Sequence, residues 1–441
     1  MKASKAIAGF SKLTKAQKIG WLEQQLGWDS SAAGLLSSSE LQDESLQQVL
    51  NELSENQISN FHLPFCVAPN FLVNGTMRVF PLVTEESSVV AAMAKAAGFW
   101  ASRGGFRADV TGMEKKGQLH FLWTGAPEKL TRSFPEVQKR LLADASVLTR
   151  KMESRGGGIL SVTLKHLPDI LPHYFQIDVA FDTRDAMGAN LINSCLEEFG
   201  KGLRRFLSSR TGWRSEEQDC RIIMAILSND VPGSRARVWA ACPVSALTEP
   251  GDACPAAEFA DRFVMAVHIA RKDVSRAVTH NKGIFNGVDA LALATGNDFR
   301  ALEAGGHAFA ARSGKYAGLS EAGIAGGQFT FSMELPLAVG VVGGVTTLHP
   351  MARLAMQILE NPSARELMQY MAVAGLASNW SAVRALVTTG IQKGHMKMHL
   401  GNILTGLRAT AEQKQAARLY FQDREVSFAE VERYLNEYGH P

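Results

Sequence analysis

Several short segments combine residue types that can move protons or hold anions. Glu85-Glu86 stands just before the apolar run Val89-Val90-Ala91-Ala92. Adjacent carboxylates there are either the acidic first turn of a helix or, where one is buried, an acid kept protonated and able to donate. His280-Asn281-Lys282-Gly283-Ile284-Phe285-Asn286-Gly287 sets one lysine among amides and glycines in an apolar stretch. A buried lysine needs a carboxylate. Asp298, in Thr295-Gly296-Asn297-Asp298, is a candidate partner that would keep Lys282 protonated and able to stabilise an oxyanion; the plainer reading is a lysine in a solvated loop. His395 follows Gly394 at the end of an apolar helical pattern, where an imidazole titrating near neutrality can give up a proton, although a lone surface histidine is commoner. His395 and His399 share the i, i+4 spacing of helix-borne zinc ligands, but Met396 occupies the Glu position of HExxH and no third ligand cluster follows, so no metal is expected.

A fifth segment depends on its neighbours. Phe175, Ile177, Val179 and Phe181 alternate with Gln176, Asp178, Ala180 and Asp182, the period of a half-buried strand. Beyond the turn, Ile192, Cys195, Leu196, Phe199 and Leu203 recur at helical spacing. Asp185-Ala186-Met187-Gly188-Ala189-Asn190 therefore opens a helix directly after a strand, with backbone N–H groups facing any anion at the turn and Gly188 allowing close approach. The alternative is that Asp185 merely caps that helix. The fingerprint GxGxxG is absent, which argues against a Rossmann domain.

Around these segments, residues 1–55 read as a polar helical arm, and Asn74-Gly75 separates two strand-like runs ending at Val73 and Val83. A helix begins near Ser87, and Asn361-Pro362-Ser363 opens another with proline at its first position. A further helix sets Val383, Leu386, Val387 and Ile391 on one face. Composition shifts at Gly104-Gly105 and at Asn229 to Gly233 mark off a region of about 109–232.

The chain has 441 residues, enough for two or three domains, with 46% hydrophobic and 20% charged residues. Its net charge of +3 is interspersed rather than blocked, so nucleic acid is not an expected partner. The longest apolar stretch, Leu335 to Leu348, contains Pro336 and reads as buried core rather than a membrane span. No signal-peptide pattern is visible, and the five cysteines (66, 195, 220, 242 and 254) form no CxxC pair. A cytoplasmic protein without membrane contact is expected.

In their order along the chain, the segments Glu55-Asn56-Gln57-Ile58, Glu85 to Val90, Asp185 to Asn190, Thr279 to Gly283, Gly296 to Asp298, Glu334 to Gly340, His349-Pro350 and Gly390 to Met396 closely resemble class II 3-hydroxy-3-methylglutaryl-coenzyme A (HMG-CoA) reductases. The lysine in Thr-His-Asn-Lys-Gly is the class II arrangement; the class I segment Asp-Lys-Lys-Pro is absent.

The resemblance implies an α+β fold in which a small ferredoxin-like dinucleotide-binding domain (109–232) is inserted into a large, mainly helical substrate domain (1–108 and 233–389). A mobile C-terminal helical flap (390–441) would carry His395. It implies reversible four-electron interconversion of HMG-CoA with mevalonate and coenzyme A, using two NAD(P)H, through a hemithioacetal and mevaldehyde. Glu86, Lys282, Asp298 and His395 would be catalytic: Lys282 on the developing oxyanion, Asp298 holding it, His395 protonating the departing thiolate, and a buried Glu86 protonating the aldehyde oxygen. Ser88, Arg276 and Asn286 would bind substrate; Asp185, Ala186, Met187, Gly188 and Asn190 would bind the dinucleotide. Asp144 matches the acidic residue that favours NADH over NADPH, so NADH is the expected preference; a shifted register would bring Thr149 with Arg150 and Lys151 to the ribose and favour NADPH. A homodimer with shared sites is implied, with a hexamer as its further assembly. Ser87 replaces a usual proline, Phe285 a usual methionine, and the Cys66–Pro69 region departs from the pattern. The rival is a catalytically lapsed relative that binds coenzyme A or a dinucleotide. A pyridoxal-phosphate protein using Lys282 as a Schiff base is a rival among enzymes.

Overall fold

The computed structural model describes residues 6–28, 30–249, 252, 254–388, 400–422, 424 and 426–438. Among these no helix is long and apolar enough to cross a membrane. Helices α1 (Lys15–Leu26), α2 (Ser30–Ser38) and α3 (Glu44–Asn51) form the N-terminal arm. Strands β1 (Phe65–Val73) and β2 (Thr76–Val83) then pair as a hairpin with Val73 opposite Thr76. Asn74 and Gly75 both have positive φ, 51° and 87°, as a two-residue turn between right-twisted strands requires. Helix α4 (Val89–Ala101) follows.

The next strand, β3 (Arg107–Leu122), belongs to two sheets. It leads into α5 (Pro127–Glu153), β4 (Gly158–His166), β5 (Tyr174–Asp182), α6 (Ala189–Ser208) and β6 (Arg221–Ser228). The second half of β3 pairs antiparallel with β5 and β6, giving the order β4-β5-β3-β6 for a βαββαβ unit, which is ferredoxin-like connectivity. Leu119, Phe121, Ile177, Val179, Leu141, Leu196 and Phe199 are fully buried in this unit's own core. Strand β5 is buried on both faces rather than one: Gln176 and Asp178 are each only 7% exposed. Lys116 and Lys165 from the flanking strands close over the Asp178 carboxylate, so the polar side of the strand is covered by its own ion pairs.

The first half of β3 pairs instead with β7 (Ser234–Pro243). From there the chain forms α7 (Ala256–Lys272), α8 (Val274–Ala294), α9 (Phe299–Ala310), β8 (Ser320–Ala325), β9 (Gln328–Pro336), α10 (Gly344–Leu348), α11 (Pro350–Ile358) and α12 (Ala364–Val387). The second sheet runs β3-β7-β9-β8. Helix α12 is buried nearly all round, as expected of a helix at the centre of a large core. On it Trp380 packs among Phe99, Trp100, Phe263 and Phe329. Its cap is Ser363 in a capping box with Glu366, so Pro362 lies outside the helix rather than at its first position. Leu386 is 43% exposed and Ile391 lies outside the described residues, so of the expected apolar face Val383 and Val387 pack into the core among the described residues.

Two further expectations are corrected. Lys282 is not in a loop but inside α8. Of the glycines around it, Gly287 serves helix packing: a Cβ there would lie 2.3 Å from the Ala374 carbonyl oxygen of α12. The stretch 335–348 is core only in its first half: Leu335, Leu337 and Val339 are buried, whereas Val342, Val345 and Leu348 are 41%, 43% and 60% exposed on and beside α10. Past residue 400, helical residues 400–406, α13 (Ala411–Tyr420) and α14 (Phe428–Tyr438) build a separate small core around Leu404, Ala417 and Val431.

Candidate active site

Glu86 and Lys282 meet. Glu86 lies in the connection from β2 to α4, and Lys282 lies a little past the first third of α8. The Lys282 ammonium donates to Glu86 Oε2 at 2.6 Å. Their side chains are 60% and 40% exposed, so the burial expected for Glu86 is absent in the single chain. A cleft of about 540 Å³ opens here, lined by Cys66, Val67, Glu85, Glu86, Ser87, Ser88 and Ala91 among others. Ser88 is the N-cap of α4 in the left-handed region, φ 78°, and makes no side-chain capping bond. A non-glycine residue held there carries local strain of the kind found at binding sites, and it leaves first-turn N–H groups of α4 uncapped. Asn286 stands one helical turn from Lys282 on the same face. Arg276, in the first turn of α8, has no carboxylate within ion-pair reach of its guanidinium among the described residues, and burial pulls its pKa down. A half-buried unpaired guanidinium suits a carboxylate ligand.

Asp298 is elsewhere. It caps α9, accepting from the Arg300 and Ala301 N–H groups, and pairs with the Arg300 guanidinium at 3.1 Å. The twelve helical steps of α8 from Lys282 to Ala294 span ~18 Å at the helical rise. No ion pair joins Asp298 to Lys282 among the described residues, so the expected pairing is not made within one chain; Lys282 takes Glu86 instead. Asp298 sits beside the turn of residues 185–190: Asn297 accepts from the Gly340 N–H, and Val341 donates to the Asp185 carbonyl.

That turn is built to leave a helix end open. Gly188 is the N-cap of α6 at φ 85°, with no side-chain cap, and a Cβ there would lie 2.5 Å from Thr183 Cγ2. Asp185 does not cap α6, as the plainer reading supposed. Its Oδ1 accepts from Ala364 N at 2.8 Å, at the start of α12. The first-turn N–H groups of α6, including those of Ala189 and Asn190, are thus free of side-chain caps beside Ala186 and Met187. A pyrophosphate fits such a helix start.

Asp144 is on α5 and faces α6; Arg140 of α5 and Arg205 of α6 both engage its carboxylate, at 3.1 and 2.9 Å. Thr149 is buried and donates to Glu153, while Arg150 and Lys151 are exposed. His395 and His399 lie outside the described residues. A smaller cleft of about 240 Å³, near Glu114, Lys116 and Asp178, contains none of the expected site residues.

One functional candidate went unread in the sequence. Lys115 is 4% exposed and donates to Thr183 Oγ1, the Ala186 carbonyl and the Val339 carbonyl at 2.7, 2.6 and 3.1 Å. The signal was available, because Lys115 shares a strand face with Gly117, Leu119 and Phe121, and a charge in an apolar register calls for an explanation.

Residues 17–400 match the family model described as hydroxymethylglutaryl-coenzyme A reductase. The chain belongs to the hydroxymethylglutaryl-coenzyme A reductase family. A 3-hydroxy-3-methylglutaryl-coenzyme A reductase of Archaeoglobus fulgidus is 32% identical over 412 residues, 93% of this chain and 89% of the relative. A probable reductase of the same name from Borreliella burgdorferi is 32% identical over 360 residues, 81% and 79% of the two chains. Among solved structures, a reductase of this family from Streptococcus pneumoniae superimposes with a TM-score of 0.72 at 33% identity, covering 98% of this chain and 99% of that one. A class II reductase from the same organism, bound to NADPH in open conformations, gives 0.71 at 34% identity over 87% and 100%. The fold is thus that of class II HMG-CoA reductases.

Proposed function

We propose that the chain interconverts HMG-CoA with mevalonate and free coenzyme A, consuming two NAD(P)H in the reductive direction. The observation that carries this reading is the Lys282–Glu86 pair, at 2.6 Å, beside a cleft of about 540 Å³. An ammonium at the reacting carbonyl stabilises negative charge as it develops, and a carboxyl group held against it is placed to relay a proton to the same oxygen. A dinucleotide held at the 185–190 turn would supply hydride; the residues of the chain hold substrate and move protons. Hydride addition to the thioester gives the mevaldyl-CoA hemithioacetal, with Lys282 on its oxygen. Collapse of the C–S bond releases coenzyme A thiolate, protonated by His395, and leaves mevaldehyde. A second hydride and a proton from Glu86 give mevalonate. Arg276 and Ser88 would hold the free carboxylate and Asn286 would contact the substrate near Lys282.

Asp298 enters this scheme from a second copy of the chain. One copy carries two half-sites, Glu86–Lys282 and Asp298 with the 185–190 turn, separated along α8. A homodimer that faces unlike halves would close each site and bury Glu86; further assembly to a hexamer is compatible with it. The unit 109–232 would be the dinucleotide domain, 1–108 and 233–389 the substrate domain, and 390–441 a flap that brings His395 over the site and excludes water. NADH and NADPH are both candidates, because two guanidiniums already balance the Asp144 charge that would repel a 2′-phosphate. A cytoplasmic setting suits these soluble substrates.

The test is to incubate purified protein with HMG-CoA and each dinucleotide in turn. Two dinucleotides oxidised per coenzyme A thiol released, with mevalonate as product, is the expected outcome. Binding of both substrates without oxidation would identify a lapsed relative.

A further inference from the structure

We infer that Lys115 is a positioning residue that fixes the dinucleotide turn and Asp298 in one rigid arrangement, through a single buried ammonium. This rests on the reading of residues 185–190 as the dinucleotide site.

The geometry is a junction between the two sheets. Lys115 lies in β3, just where that strand passes from its pairing with β7 to its pairing with β5. Its three donors are spent on three acceptors: Thr183 Oγ1 and the Ala186 carbonyl in the turn, and the Val339 carbonyl after β9. Thr183 Oγ1 also donates to the Ala186 carbonyl at 2.6 Å, so lysine and threonine converge on the peptide that precedes Met187. On the other side, the residue after Val339 donates its N–H to Asn297 Oδ1 at 2.9 Å, and Asn297 precedes the catalytic candidate Asp298. Hydrogen bonds, continued through the Val339–Gly340 and Asn297–Asp298 peptide links, therefore join the cofactor turn to Asp298, with the Lys115 ammonium at their centre.

A structural lysine would more cheaply be an apolar residue here, since the neighbouring positions on this strand face are Gly117 and Leu119. Burial pushes the ammonium down to about 8, while Asp182 and Asp185 pull it back up. Its positive charge is held against the Ala186 carbonyl, two residues before the uncapped start of α6 at Gly188, where it adds to the positive end of the helix dipole.

The test compares three variants by dinucleotide fluorescence titration, coenzyme A binding and steady-state kinetics. Lys115→Met keeps the apolar stem and removes the charge and all three donors. It is expected to raise the dissociation constants of NADH and NADPH about tenfold or more and to lower kcat, with coenzyme A affinity held within about twofold. Thr183→Val keeps the charge and removes one acceptor, and is expected to give a smaller loss of the same kind. It decides the matter if Lys115→Met fails to fold. Gly188→Val disrupts the turn itself and tests the underlying reading. If Gly188→Val leaves dinucleotide binding unchanged, the turn is not the cofactor site and that reading falls. If Gly188→Val weakens binding while Lys115→Met and Thr183→Val do not, the reading stands and the role of Lys115 is overturned. Equal losses of dinucleotide and coenzyme A affinity would also overturn it, because a merely structural lysine spares neither.

Discussion

Lys282 Nζ lies 2.6 Å from Glu86 Oε2, whereas Asp298 is tied to the start of its own helix and to Arg300. An exposed pair of this kind adds little to stability. It does place an ammonium and a carboxyl group where one carbonyl oxygen could receive charge stabilisation and then a proton.

Lys282→Ala should reduce turnover by about a hundredfold or more while leaving the circular dichroism spectrum and melting temperature unchanged. The side chain is 60% exposed, so its removal opens no cavity. Near wild-type kcat would show that another group stabilises the oxyanion.

His395→Ala should spare reduction of added mevaldehyde far more than reduction of HMG-CoA, since only the thioester route expels a thiolate. Stopped assays of the two half-reactions are the measurement. Equal losses would remove His395 as the thiolate's proton donor.

Asp289 on α8 and Glu303 on α9 give a pH-dependent contribution to stability. Burial and the neighbouring Glu303 hold the Asp289 carboxyl well above the usual carboxylate range, and its Oδ1 is buried without a hydrogen-bond partner. An acid protonated in the fold and ionised in the unfolded chain makes the fold bind more protons, so stability falls as pH rises from the ordinary value to the raised one. Asp289→Asn removes that slope. Its melting temperature should exceed that of the unsubstituted chain near pH 8 by on the order of 2–4 °C, and the gap should shrink near pH 5. A gap that is constant with pH would show that Asp289 ionises normally.

Asp144→Ala should change the ratio of kcat/KM for NADPH over NADH by less than about threefold, because Arg140 and Arg205 already neutralise this carboxylate. A gain of about tenfold in NADPH use would identify Asp144 as the selecting residue.

Much of this architecture was legible because local patterns and tertiary packing agree. The Asn74-Gly75 hairpin and the apolar stripe of Ile192, Cys195, Leu196, Phe199 and Leu203 appear as the spacing requires. Lys282 was misplaced into a loop because Gly283 and Gly287 signal turns locally, yet Gly287 is small so that α8 can touch α12. Asp185 read as a helix cap because its position along the chain fits one; its actual acceptor role toward Ala364, 179 residues away, is a tertiary fact. Lys115 was missed for a similar reason: its three acceptors come from two distant segments.

Complementation between two inactive variants tests the two-half arrangement most directly. Lys282→Ala and Asp298→Ala should each be inactive as homodimers. When the two chains are co-expressed, a mixed dimer unites the intact Lys282 of one copy with the intact Asp298 of the other, leaving one working site in two. Activity of about a quarter of the unsubstituted level, given random pairing, is the predicted result, with mixed dimers isolated by differential tags giving about half. Co-expressed chains that stay as inactive as either variant alone, despite forming mixed dimers, would contradict it, because both residues would then have to act from the same copy.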